Sequence, residues 1–196
     1  MKSVEARAVQ QKFLPVADEN LNLLRRVLRE SSDAEHRSLA AGIIAYYKNK
    51  AEIVGDLVYA MKDPDGSVRN NAVRTLGLIA GYSMAHPEKN IKFPFKPFVE
   101  MLNSIEWTDR NKSSMVLSEL TEKRNVKLFE LLRCKAIPSL IEMARWKNIG
   151  HAGMPFFILG RVADFSDEEI GRALMTVKRE VLNINAQKRL PIISDY

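Results

Sequence analysis

Three histidines, one cysteine and a pair of adjacent glutamates are the residues here whose types could do chemistry. His36, His86 and His151 lie far apart, and no H-E-x-x-H or other ligand spacing links them, so they offer no metal site of recognisable pattern. Cys134 sits between Arg133 and Lys135, a setting that would favour a thiolate at an exposed position. It also ends an apolar helical stretch, and the reading taken is a structural thiol. As the only cysteine it makes no intrachain disulfide and no cysteine-based zinc site. Glu168 and Glu169 stand at the start of a helical segment, where negative charge suits the helix dipole, so capping accounts for them without acid–base work. The nine glycines form neither a phosphate-binding loop nor G-x-G-x-x-G, and no G-x-S-x-G elbow occurs. The residues point to no catalytic group, no cofactor and no metal, and the expectation is a non-enzyme.

The elements that carry these residues are helical. Apolar residues recur at three and four positions in most segments, and period-2 alternation is scarce. At 196 residues and 46% hydrophobic the chain can bury a core. The net charge of +6 divides as +3 in 1–50, zero in 51–100, +3 in 101–164 and zero in 165–196, with no basic block of the kind that marks a nucleic-acid groove. No stretch approaches the ~18 apolar residues of a membrane span. The chain as given reads as soluble and cytoplasmic, with export or anchoring signals outside it left open.

Self-similarity is the most informative pattern. From Asp65 the chain runs Gly66-Ser67-Val68-Arg69-Asn70-Asn71-Ala72-Val73-Arg74-Thr75-Leu76-Gly77-Leu78-Ile79, an acidic turn residue followed by Arg four later and then small and apolar residues. Equivalent positions appear at Asp33, Arg37, Ala40 and Ile44; at Glu106, Arg110, Ser113 and Leu117; and at Asn148, Ala152, Pro155 and Leu159, where the Arg is lost. Each copy follows another helical segment: Asn20–Arg29, Glu52–Lys62, Lys96–Ile105 and Ile137–Trp146. The unit is helix, tight turn, helix. Ala40, Ala72 and Ser113 let the two helices approach, while Ile44, Leu76, Leu117 and Leu159 fill the layer between units, which must stack to bury it.

The stretch from Lys62 through Ile79 resembles a HEAT repeat, and is also similar to the HEAT-like repeats named after phycobilisome lyases. The resemblance covers 20–164, closely in the second unit and loosely elsewhere. It implies an all-α fold, an α-solenoid (α-α superhelix) of about four HEAT-like helix pairs with capping helices, forming a single domain over 1–196. Within it, 1–19 is an N-terminal cap helix with Val4, Val9, Phe13 and Val16 as apolar positions, and 165–196 is a C-terminal cap helix and tail. That second cap, Asp167–Ile184, carries Ile170, Leu174, Val177 and Val181, with Ser166 and Glu169 spaced as a capping box. Asn125–Arg133 forms an additional short helix. The proline-rich insertion at 83–97 interrupts the rhythm, and its Phe93 and Phe95, with the adjacent Phe98, are expected to pack. The resemblance further implies a charge ladder in which Asp33, Asp65 and Glu106 pair with Arg37, Arg69 and Arg110 of successive units. Deoxyhypusine hydroxylase, an enzyme class built on such repeats, uses His-Glu pairs; here no His is followed by Glu.

In such arrays the second helices line a concave face. By register that face reads Leu39, Gly42 and Tyr46; Asn71, Arg74 and Leu78; Lys112, Met115 and Glu119; Met154, Phe157 and Arg161. A mix of aromatic, methionine and basic residues suits a protein or peptide partner. The candidate partner-binding residues are Tyr46, Arg74, Leu78, Lys112, Met115, Phe157 and Arg161, in a non-catalytic interaction or scaffolding module. Two alternatives stay open at this stage: nucleic-acid (DNA) binding with Arg74, Lys112 and Arg161 on phosphates, as in the DNA-repair glycosylases that some HEAT-like folds resemble, and a lyase-like accessory subunit of an enzyme. The oligomeric state and the partner's identity are not written in the residues.

Overall fold

The computed structural model describes residues 3–176 and 179–190, without the side chains of Arg179 and Val181. Every regular element among these residues is helical. The helices are α1 (Val4–Glu19), α2 (Leu21–Glu30), α3 (Ala34–Ile43), α4 (Lys50–Ala60), α5 (Gly66–Ala85), α6 (Lys96–Met101), α7 (Trp107–Thr121), α8 (Val126–Lys135), α9 (Ile137–Ala144), α10 (Ile149–Val162), α11 (Asp167–Leu174) and α12 (Arg179–Arg189). Short 3₁₀ turns occupy Ile44–Tyr46 and Pro87–Lys89. The chain divides into two compact units, Met1–Phe93 and Pro94–Tyr196. The division falls inside the proline-rich 83–97 stretch.

In the first unit α2 packs on α3, α4 on α5, and α3 on α5. The turns that start the second helices follow from short polar side chains. Asp33 accepts the amides of Glu35 and His36, and Asp65 those of Ser67 and Val68, which satisfies N–H groups that have no intrahelical acceptor. The small residues Ala40 and Ala72 are buried, as are Ile44 and Leu76 of the layer between pairs. α1 forms as expected, but Val4, Val9 and Val16 are exposed and the helix settles through Phe13 and Ala17 instead. Helical spacing creates an apolar stripe, but burial also needs a facing helix. Here Phe13 meets the ring of Tyr46 with centroids 5.4 Å apart.

In the second unit α6 packs on α7, α9 on α10, and α7 on α10. Ser113 is fully buried, and its hydroxyl donates to the Phe98 carbonyl at 2.5 Å, so the small residue brings α7 against α6. Leu117 and Leu159 are buried, and Asn148 caps α10 by accepting the Gly150 amide. Phe98 is buried, whereas Phe93 in the first unit and Phe95 in the second are half-buried. The helix expected over Asn125–Arg133 is α8, capped by Asn125. The single C-terminal helix expected over Asp167–Ile184 is two helices. α11 ends at Leu174, where the Thr176 hydroxyl donates back to the Arg172 carbonyl, a bond that competes with helix propagation. Val177 and the side chain of Val181 lie outside the described residues. Ser166 and Glu169 form the capping box in full.

The charge ladder takes a different form from the one expected. Arg37 does not pair with Asp33 or Asp65: its Nε and Nη2 reach Asp63 at 2.7 and 2.9 Å, in the turn between α4 and α5 of the next pair. Arg110 likewise reaches Glu142 at 3.1 and 2.8 Å. Arg69 turns its Nη1 to the carbonyls of Asp63 and Pro64, as Arg37 does to Ser31 and Ser32. Asp33 and Asp65 are committed to capping, which leaves the guanidinium free to find an acid across the layer. Glu106 makes no side-chain cap; Ser104 accepts its amide instead.

Candidate partner-binding faces

The second helices, α3 and α5 in the first unit and α7 and α10 in the second, present the residues singled out by register. In the first unit Asn71 fixes the alignment of α3 and α5, because its Nδ2 donates to both the carbonyl and the hydroxyl of Ser38 at 3.0 Å. Asn71 is therefore a structural link more than a free contact. Beside it, Leu39 is 55% and Leu78 is 74% exposed, and Arg74 lies exposed with no ion pair or hydrogen bond among the described residues. Tyr46 is half-buried under its contact with Phe13. Arg74, Leu78 and Tyr82 recur at four-residue intervals and share one helix face, so Tyr82 extends the stripe by a turn. That residue was legible from the spacing but was not singled out.

In the second unit Met115 and Met154 are exposed on neighbouring helices, with Lys112 and Phe157 half-buried and Glu119 exposed. Arg161 departs from the expectation. It is 4% exposed, and its Nε and Nη2 meet the Asp167 carboxylate at 2.9 and 2.6 Å. Its Nη1 donates to the Ser118 carbonyl and the Thr121 hydroxyl, and its guanidinium covers the Phe157 ring at 5.3 Å. Such a side chain is a buried tie between α7, α10 and α11, not a contact for a partner. The Arg161 hydrogen bond holds the Asp167 carboxyl below the usual carboxylate range. The reason is the turn after α10, which brings Asp167 back within reach six residues later.

The histidines are dispersed among separate contacts. His36 is exposed near Asp33, His86 lies tilted against Tyr82 with centroids 4.5 Å apart, and His151 is T-shaped to Trp107 with its Nδ1 3.3 Å from the side-chain Oδ1 of Asn111. Among the described residues no three His, Cys, Asp or Glu side chains converge to hold a metal ion. Cys134 is exposed. No helix among them is long and apolar enough to cross a membrane.

Comparison with known proteins agrees with this architecture. Residues 21–88 match the family model for HEAT repeats. No curated protein matches the chain in sequence. Among solved structures, an engineered protein from a structural-genomics consortium superposes with a TM-score of 0.56 at 14% identity, covering 96% of this chain and 92% of its own. A designed armadillo repeat protein in complex with the peptide (KR)4 gives 0.55 at 14% identity, over 94% of this chain and 92% of its own. A computationally designed armadillo repeat protein for modular peptide recognition gives 0.52 at 14%, over 97% and 95%. At these identities the likeness shows the fold, an all-α repeat solenoid of the armadillo and HEAT type.

Proposed function

We propose that this α-solenoid, with HEAT repeats across 21–88, is a non-catalytic module that binds a protein or peptide segment on the exposed face of its second helices. The observation that carries the reading is the exposure of Leu39 and Leu78, both more than half exposed on packed neighbouring helices, with the unpaired guanidinium of Arg74 one turn before Leu78 on the same face of α5. Exposed leucines flanking one cation suit a segment that offers apolar side chains and a carboxylate. The designed armadillo neighbour is in complex with a Lys-Arg peptide. Arg74 here, and Lys112 in the second unit, would repel so basic a segment, so the partner differs in charge from that one. Met115 and Met154 give the second unit a deformable apolar face of its own, since an unbranched thioether adapts to irregular surfaces.

The test is selection of peptides from a random display library on the whole chain, followed by titration of the best binder. Leu78→Glu and Arg74→Glu should each weaken it by about tenfold or more, as expected when a buried anchor or charge pair is lost. Leu23→Glu, an exposed leucine of α2, serves as the control. Equal affinity for all four proteins would remove the reading.

A further inference from the structure

Lys48, Lys50 and Lys89 line one open pocket of about 360 Å³ in the first unit, together with Asn49, Ala51 and Tyr82. No carboxylate lines it. The acids near these residues are engaged elsewhere: Glu88 lies 3.3 Å from His86 Nδ1, and Glu52 accepts from the Tyr47 hydroxyl and pairs with Arg25. Asp18 is the exception, accepting the Lys48 amide at 3.1 Å with its other oxygen 3.7 Å from Lys48 Nζ. Three ammonium groups against one carboxylate leave the pocket with two uncompensated positive charges. Lys89 has no ion pair among the described residues.

Lys50 is the most shielded of the three lysines. Its Nζ donates to the carbonyls of Ala45 and Tyr47 at 2.7 and 2.6 Å, which leaves one of its three hydrogens uncommitted. Burial pushes the Lys50 ammonium below its ordinary pKa against the opposing pull of Asp18, and no carboxylate lies within ion-pair distance of it among the described residues. The pocket also meets the start of α4. Asn49 makes no side-chain capping bond there, so the first-turn amides of Lys50 and Ala51 lack an acceptor from their own helix or from a cap. Tyr82, at the end of the Arg74–Leu78 stripe, also lines the pocket.

We propose that this pocket binds a phosphate-type dianion, held by the ammonium groups of Lys48, Lys50 and Lys89 and by the amides at the start of α4. A dianion matches the surplus of two charges, and a phosphate monoester carries nearly that charge at neutral pH. The site goes beyond the peptide-binding reading and stands or falls separately from it. The same chemistry is offered by free phosphate and by an organic monoester, whose body would lie along Tyr82.

The experiment follows backbone amide shifts of the whole isotope-labelled chain during titration with inorganic phosphate and, separately, with phenyl phosphate, at constant ionic strength set by chloride. Saturable shifts of the Lys50 and Ala51 amides are expected, with half-saturation on the order of 1 mM or below. Tighter binding of phenyl phosphate assigns the site to an organic monoester, and equal binding assigns it to free phosphate. Lys48→Glu/Lys89→Glu should weaken binding by about tenfold or more, since both positions lose a charge-assisted bond. Lys123→Glu/Lys127→Glu changes the net charge equally at exposed positions that do not line the pocket and should leave binding intact. Unsaturable shifts, shifts that spare Lys50 and Ala51, or equal loss in both double variants would overturn the site. The wild-type titration decides on its own if the first double variant fails to fold.

Discussion

The guanidinium of Arg37 grips the carboxylate of Asp63 at two points, 2.7 and 2.9 Å, across 26 residues of chain. Both side chains are largely shielded, at 12% and 6% exposure. This contact ties α3 to the turn between α4 and α5, and Asp63 also accepts the Asp65 amide at 2.9 Å, so one carboxylate serves the layer and its own turn together.

That arrangement predicts an acid-labile stability. The Arg37 hydrogen bond holds the Asp63 carboxyl below its ordinary range, as Arg110 does for Glu142 and Arg161 for Asp167. A carboxylate depressed on folding stabilises above its unfolded pKa, about 4, and the gain is lost as pH falls through the lower folded value. Unfolding free energy should be flat from about pH 7 to 5 and should fall below that. In Arg37→Gln the decline should be shallower. Urea melts at pH 7, 5, 4 and 3 would check this, and parallel declines in both proteins would refute it.

The two arginines once placed on the same surface should behave in opposite ways. Arg161→Ala removes a buried guanidinium and strips partners from Ser118, Thr121 and Asp167, an expected cost of about 2–3 kcal/mol, given that Asp167 itself can be rehydrated. Arg74→Ala touches no partner and should change stability by less than ~0.5 kcal/mol. Denaturant midpoints of the two variants give the comparison.

Gly160 of α10 packs directly against Ile170 of α11. A Cβ built there would lie 2.6 Å from Ile170 Cγ1 and 2.7 Å from its Cδ1, and Ile170 is fully buried. Gly160→Ala should therefore destabilise by about 1–3 kcal/mol despite its gain in helix propensity. A thermal melt tests it, and Gly160→Ala/Ile170→Val, which clears the Cδ1 contact, should recover part of the loss.

Much of the fold was legible because its determinants are local. Helix positions follow from three-and-four spacing, and Ser166 and Glu169 cap because a short acceptor beside free amides needs nothing beyond its own turn, whereas the caps at Asp33 and Asp65 were not read from the sequence, which placed both acids in a ladder. Ala40, Ala72 and Ser113 announced close packing by size alone. The candidate faces were legible only in part. Leu78, Arg74 and Met115 are exposed as the register implied, while Arg161 is not, since helical position sets direction and not what folds back over it.

What the sequence determined by itself was the helical class, most helix positions, the Ser166–Glu169 capping box and the helix pairs of the repeat, which follow from spacing within a turn or two and from the repetition of one pattern. The tertiary structure alone decided which acid each arginine finds and that Val4, Val9 and Val16 stay exposed. It also gathered Lys48, Lys50 and Lys89 around one pocket. Ion pairing and burial depend on distances through space, and residues 26 or 40 positions apart carry no local signal of becoming neighbours.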